Sequence, residues 1–434
     1  MNTQTSTDII VVGAGMVGAA LTLALTRAGW HVTVLDRAAP TLDEDSAQPD
    51  LRVSAISAGS ERWLRRLGVW AGMERRRVAP YRRLSVWEQP TALEQQVPFL
   101  NRLTERARTT FDAGALGRAH LGHIVENGVT QAALWEALNQ ETRAHLTVPA
   151  TIRSLRQKAD RVEVTLDDDQ VLSARLLVGA DGANSITRTL AGIGTHRDQY
   201  DQQAMVITVA HEHPPQDATW QMFTPDGPRA YLPLPTLADQ CWGSLVWYDH
   251  PSTLDRLGEL DEPELLDAIR NAFPPELPPL QAAPARGRFP IARQHAHQYH
   301  KGRVVLVGDA AHTINPLAGQ GLNLGFQDAA ALSERLLATR RAQGDPGEGS
   351  VLSAYEQERR PENALMMRAM DLFYHGFSNN HAPLRLMRNA GLALAGNLPF
   401  AREEVARYAM GLDSKLSPAV RRILDALPPL PKAI

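Results

Sequence analysis

The chain has 434 residues, long enough for two or three domains around a sizeable core. Its 44% hydrophobic and 21% charged residues are ordinary for a globular protein, and a formal net charge of -3 gives nucleic-acid binding no support. The single cysteine, Cys241, excludes an internal disulfide and reads as a buried small side chain.

The opening MNTQTSTDIIVVGAGMVG lacks the basic start, apolar middle and cleavage site of a signal peptide. No uncharged apolar run reaches membrane-spanning length, so the cytoplasm is the expected compartment. Asp8 to Val12 is an apolar, β-branched run, expected as a buried strand. Gly13-Ala14-Gly15-Met16-Val17-Gly18 follows and fits G-x-G-x-x-G. Ala19 to Ala28 reads as a helix stopped by Gly29, and His31 to Leu35 as a second strand ending in Asp36. Gly13 permits the turn out of the strand, Gly15 lets backbone approach a pyrophosphate, and Gly18 lets the helix lie close to the sheet. The free N–H groups of the helix start favour phosphate. Asp36 can accept both hydroxyls of an adenosine ribose and would repel a 2′-phosphate, which favours FAD or NAD over NADP.

Val162 to Leu177 alternates like strands and leads into Gly179-Ala180-Asp181-Gly182, a strand-end turn with an acid. Tyr81 to Trp87, Met205 to Val209, Ala230 to Leu234 and Trp242 to Trp247 read as short strands of a sheet that can roof a cofactor. Pro274 to Pro284 reads as a connection back. Arg303 to Val307 is a buried strand entering Gly308-Asp309-Ala310-Ala311-His312. Pro316-Leu317-Ala318-Gly319-Gln320-Gly321-Leu322-Asn323 follows, with a helix expected from about Phe326. Asp309 suits the hydroxyls of a ribityl chain, and the helix start would set its positive end near N1 and O2 of a flavin. A second G-x-G-x-x-G is missing, so no separate NAD(P)H domain is expected. The histidines show no H-E-x-x-H pattern and no metal is expected; His295-Ala296-His297 reads as a surface turn.

The succession G-x-G-x-x-G, G-A-D-G and G-D-A-A-H-x-x-x-P-x-x-G-Q-G-x-N resembles the group A flavoprotein aromatic hydroxylases, whose fold is that of para-hydroxybenzoate hydroxylase. Gly308 to Gly325, with Thr224 to Ala230, Ser244 to Asp249 and Asp371 to Tyr374, is similar to the ubiquinone-biosynthesis hydroxylases within that group. The resemblance runs from about Thr7 to Leu412. It implies an α/β fold with a Rossmann-like FAD-binding domain, a β-sheet substrate domain and a helical C-terminal tail. The expected bounds are 1–80, 100–185 and 286–375 for the first, 81–99 and 186–285 for the second, and 376–434 for the tail. Pro383 to Leu412 has the spacing of an amphipathic helix, suited to packing on its own domain or to a membrane surface.

By the same resemblance Arg52 lies against the cofactor, and Gln131 opens a helix that meets the nucleotide. The expected FAD contacts are then Gly13, Ala14, Gly15, Val17, Gly18, Asp36, Arg37, Arg52, Gln131, Asp181, Gly308, Asp309, Pro316, Gly319, Gly321, Leu322 and Asn323. Pro316 to Gly319 resembles the family's peroxide-facing segment; His312 nearby either tunes the flavin or makes a structural hydrogen bond. The implied chemistry is insertion of one oxygen atom from O2 into an electron-rich ring through a flavin C4a-hydroperoxide, with NAD(P)H or another external electron donor. No catalytic side chain is assigned. The implied substrate is a prenylated quinol or phenol, first 2-polyprenyl-3-methyl-6-methoxy-1,4-benzoquinol, with a sister ring position as the alternative. A ubiquinone-biosynthesis complex and a peripheral contact with the inner membrane are the expected partners. The halogenase signature W-x-W-x-I-P is missing, and a non-catalytic flavoprotein scaffold is the third reading.

Overall fold

The computed structural model describes residues 7–43, 46–91, 94, 96–97, 108–315 and 319–377. Pro316 and the tail from residue 378 lie outside them. A six-stranded sheet runs in the order His300–Lys301, Val304–Leu306, Leu176–Gly179, Ile9–Val12, Val32–Leu35 and Ala144–Thr147. All neighbours from Val304–Leu306 onward are parallel. Parallel strands are covered on both faces and must be apolar throughout. Ile9, Ile10, Val11, Leu176, Leu177, Val178, Val304, Val305 and Leu306 are all fully buried. The helix Met16–Arg27 packs on this layer, and Asn127–Asn139 and Gly321–Arg341 pack on that helix.

Adjacent parallel strands bring their C-terminal ends to one sheet edge. Val304–Leu306 leads there into Gly308-Asp309, Leu176–Gly179 into Ala180-Asp181-Gly182, Ile9–Val12 into the glycine turn, and Val32–Leu35 into Asp36. Ligands of open α/β sheets bind outside such carboxyl ends.

The second layer is an eight-stranded sheet, ordered His312–Thr313, Leu280–Ala296, Thr195–His211, Cys241–Asp249, Gly227–Pro233, Ala218–Thr224, Arg83–Glu88 and Thr109–Asp112. Alternation along Thr195–His211 sends Met205, Ile207 and Val209 to one face, where Leu254, Leu265 and Ile269 of two helices cover them. Ala204 faces the other way, with Phe223, Tyr248, Ile291 and the half-buried Met370. Asp371, also on the Gly349–Phe377 helix, accepts from Tyr200 Oη and from Arg293, which ties that helix to the sheet.

Three expectations change here. Leu280–Ala296 is one 17-residue strand, so the sheet absorbs part of the expected connection at 274–284 and crosses the expected boundary at 286. Pro284 closed that expected connection, but it and Pro290 sit where the pairing with Thr195–His211 shifts register, positions at which a missing N–H is tolerated. His295 and Ala296 end this strand rather than forming a surface turn, and Thr109–Asp112 joins the sheet although assigned to the flavin portion.

The Gly321–Arg341 helix also begins five residues before Phe326. Gly321 and Gly325 had suggested a loop, yet Gly325 is needed for packing: a Cβ there would stand 2.7 Å from Val17 Cγ2 and 3.4 Å from Gly308 Cα. One turn on, Asp328 is fully buried. It accepts from Gly308 N at 3.1 Å, His312 Nε2 at 2.5 Å, Arg359 Nε at 2.8 Å and Asn363 Nδ2 at 3.0 Å. Burial alone would raise the carboxyl pKa; His312 and Arg359 overcome it and hold the group ionised, well below the usual carboxylate range.

Replacing Asp328 by Asn would leave the buried Arg359 guanidinium without its partner and should cost about 3–5 kcal/mol in urea unfolding. The native pKa is depressed, so the stabilisation is fully present above the unfolded carboxyl pKa of about 3.9 and is lost as pH falls toward the native value. The variant should therefore lose less stability than the natural chain between about pH 4 and the onset of acid unfolding.

Candidate functional site

Gly13 leaves its strand at φ +98°, and a Cβ there would overlap the carbonyl of Ala180. Gly18 backs onto the same turn, since its Cβ would overlap the Gly13 carbonyl oxygen. Gly15 differs: a Cβ built on it meets nothing within 4 Å. The helix that starts at Met16 has no side-chain cap, which leaves its first N–H groups facing outward unclaimed by side chains. Two long-range bonds set the turn. Trp135 Nε1 donates to Ala14 O at 2.8 Å, and Ala14 N donates to Asp36 Oδ2 at 2.5 Å. The other Asp36 oxygen accepts from Ala38 N at 3.2 Å, and Arg37 is exposed.

At the next strand end Asp181 is occupied locally. It accepts from Ser185 Oγ at 2.5 Å, Thr187 N at 2.9 Å and Thr187 Oγ1 at 3.0 Å. Its side chain shapes the turn, and Gly182, at φ +78°, faces open space. Buried Arg188 links this turn to the next one, donating to Ala183 O and Ala310 O, each at 2.9 Å.

Gly308 has φ +58° and packs on Val17, which joins the third turn to the first. Asp309 is reached by water yet surrounded by protein, as a group on the floor of a cleft would be. Burial raises its carboxyl pKa, with Arg52 and His312 opposing. The exposed Arg52 guanidinium also lies 5.9 Å from the Phe289 ring centroid, reaching toward the eight-stranded sheet. His312 is 1% exposed and bonded to Asp328, so the structural reading of that residue describes its contact.

Gly319, at φ +61°, lies beside Ala55, and Leu322 packs on the core. Asn323 is buried and engaged: Oδ1 accepts from Ser57 N at 2.9 Å and Ser60 Oγ at 2.8 Å, and Nδ2 donates to Ala55 O at 2.8 Å. Gln131 is half-buried in the second turn of the Asn127–Asn139 helix, not at its opening. Sequence reasoning passed over Trp135, Arg188 and Asp328. The available signal was an acid or an arginine set among apolar helix positions.

The donor set fits FAD. An acid stands at each end, Asp36 and Asp309, on strands three spacings or roughly 14 Å apart. Between them lie an uncapped helix start and the two glycines, Gly15 and Gly182, that face open space. Among the described residues no nucleophile–base pair of hydrolase type lines this edge.

Residues 6–370 match the model of the FAD binding domain family. The chain is 44% identical over 414 residues to 3-demethoxyubiquinol 3-hydroxylase of Escherichia coli, covering 94% of this chain and all of that one. It is 34% identical to ubiquinone hydroxylase UbiL of Rhodospirillum rubrum, over 97% and 93% of the two chains. The crystal structure of p-nitrophenol 4-monooxygenase PnpA from Pseudomonas putida DLL-E4 shares the fold, with a TM-score of 0.72 at 19% identity over 94% of this chain and 98% of that one. The chain belongs to the FAD-binding-domain family and, within it, to the FAD-dependent aromatic-ring hydroxylases of ubiquinone biosynthesis.

Proposed function

We propose that this hydroxylase acts on a 2-polyprenyl-3-methyl-6-methoxy-1,4-benzoquinol, a demethoxyubiquinol. The observation that carries the ring position is the 44% identity to the E. coli 3-demethoxyubiquinol 3-hydroxylase over that protein's full length. FAD, once bound, supplies the oxidising chemistry that adds one oxygen atom from O2 to the electron-rich ring. NAD(P)H or another external donor supplies the electrons.

In this reading the six-stranded layer binds FAD and the eight-stranded layer holds the quinol. Asp36 and Asp309 hold the ribose and ribityl hydroxyls, while the uncapped helix start and Gly15 receive the pyrophosphate. Arg52 stands between the two layers and places positive charge beside Asp309. Asp181 and Asn323 contribute by fixing backbone, since their side chains are engaged within the protein. The apolar face that carries Phe223, Tyr248 and Ile291 excludes water and suits a prenylated ring. No helix among the described residues is long and apolar enough to cross a membrane, so a substrate with a lipid tail would be met at the bilayer surface.

Deleting the gene and identifying the accumulated quinone by mass spectrometry tests the ring position. Demethoxyubiquinone should accumulate; a different intermediate would move the enzyme to a sister step. At the cofactor, Asp309→Ala removes hydrogen bonds worth about 1.5–3 kcal/mol, so FAD should bind roughly 10- to 100-fold more weakly. Undiminished flavin retention after gel filtration would refute the role. Gly13→Ala forces a side chain into left-handed backbone and should lower stability by about 1–3 kcal/mol. Gly15→Ala, facing open space, should leave urea stability within about 0.5 kcal/mol yet impair FAD uptake.

A further inference from the structure

Glu61, His120 and His123 take no part in the flavin site described above. Glu61 lies on the Ala58–Arg66 helix, His120 just before the Gly122–Glu126 strand, and His123 within it. Glu61 Oε2 is 2.9 Å from His120 Nε2 and 3.4 Å from His123 Nδ1. One ligand atom from each residue lies within 4.8 Å of the others.

Two observations point beyond a chance cluster. His123 is 5% exposed, and its Nδ1, which faces Glu61, makes no hydrogen bond of acceptable geometry. Burying such a nitrogen unpartnered costs about 1–3 kcal/mol. The second is the orientation of the carboxylate. Glu61 Oε1 accepts from Arg65 Nε at 2.8 Å, and Arg65 is anchored in turn by Glu74 at 2.8 Å and by the Trp70 ring. One oxygen is thus held and the other is presented to the imidazoles, the outer-shell arrangement that orients a metal-ligating carboxylate.

We propose that Glu61, His120 and His123 bind one divalent transition-metal cation of the zinc class, outside the flavin site. Zinc bonds of about 2.0–2.2 Å set tetrahedral ligand atoms about 3.3 Å apart, and the observed 2.9 and 3.4 Å lie on either side of that spacing. Two imidazoles and one carboxylate suit zinc, cobalt or nickel; magnesium and calcium take oxygen ligands. The ion would staple the Ala58–Arg66 helix to the Gly122–Glu126 strand, with water completing its shell. The expectation of no metal came from motifs within single segments; here the ligands come from two segments that meet only in the fold.

The rival is a proton in the metal's place, a protonated imidazole bonded to Glu61. Calorimetric titration of the chelator-washed, tag-free holoprotein with Zn2+ separates the two. One equivalent should bind. His120→Gln and His123→Ala should each weaken binding by at least about tenfold. His120 is partly exposed, so its variant should keep the fold, which retained flavin absorbance reports. Absence of stoichiometric uptake by the natural chain, or equal uptake by both variants, overturns the proposal.

Discussion

A single buried carboxylate organises the turn that carries Asp309 at the edge of the parallel sheet. Asp328 is closed off from water, and an ionised group there persists only if cations and donors surround it. His312, Arg359, Asn363 and the Gly308 amide do so, and they come from two separate stretches of chain. Two belong to the turn and short strand around Asp309 and two to the long Gly349–Phe377 helix. The network continues through Asn363 Nδ2 to Tyr299 Oη at 3.2 Å and from there to His295 Nε2 at 2.9 Å. Glycines give the turn its shape, and Asp328 gives it a fixed position.

The turns at the sheet edge are cross-braced in the same manner. Arg188 spans the second and third, Val17 touches the third from the first, and Trp135 and Asp36 grip the first. Several residues that sequence reasoning assigns to cofactor contact therefore also act as structural fasteners. Asp36 spends one carboxylate oxygen on the Ala14 amide, and Asp181 and Asn323 are fully engaged with protein. A nucleotide arriving at this edge would meet backbone already set in place, which lowers the ordering cost of binding.

Legibility from the sequence followed the range of the interaction. The first strand, glycine turn, helix and Asp36 are local features, and glycine positions with a positive φ announce themselves. The parallel layer was legible because its strands are apolar without alternation. What failed was misjudged punctuation. Gly325 serves close packing in a helix, and Pro284 sits at an irregularity of one strand; alone, either residue signals a loop. Arg188, Trp135 and Asp328 were invisible because their partners lie 122, 121 and up to 35 positions away.

Three residues beyond Asp309, His312 and Thr313 pair with Gln294 and His295 and so become the edge strand of the other sheet. The same short stretch of backbone thus serves both layers. A rocking of the eight-stranded sheet cannot be absorbed by a slack linker at this joint; it must pull on the turn that carries Asp309 or be refused. Mechanical continuity of this kind couples whatever seats on one layer to the attitude of whatever rests on the other.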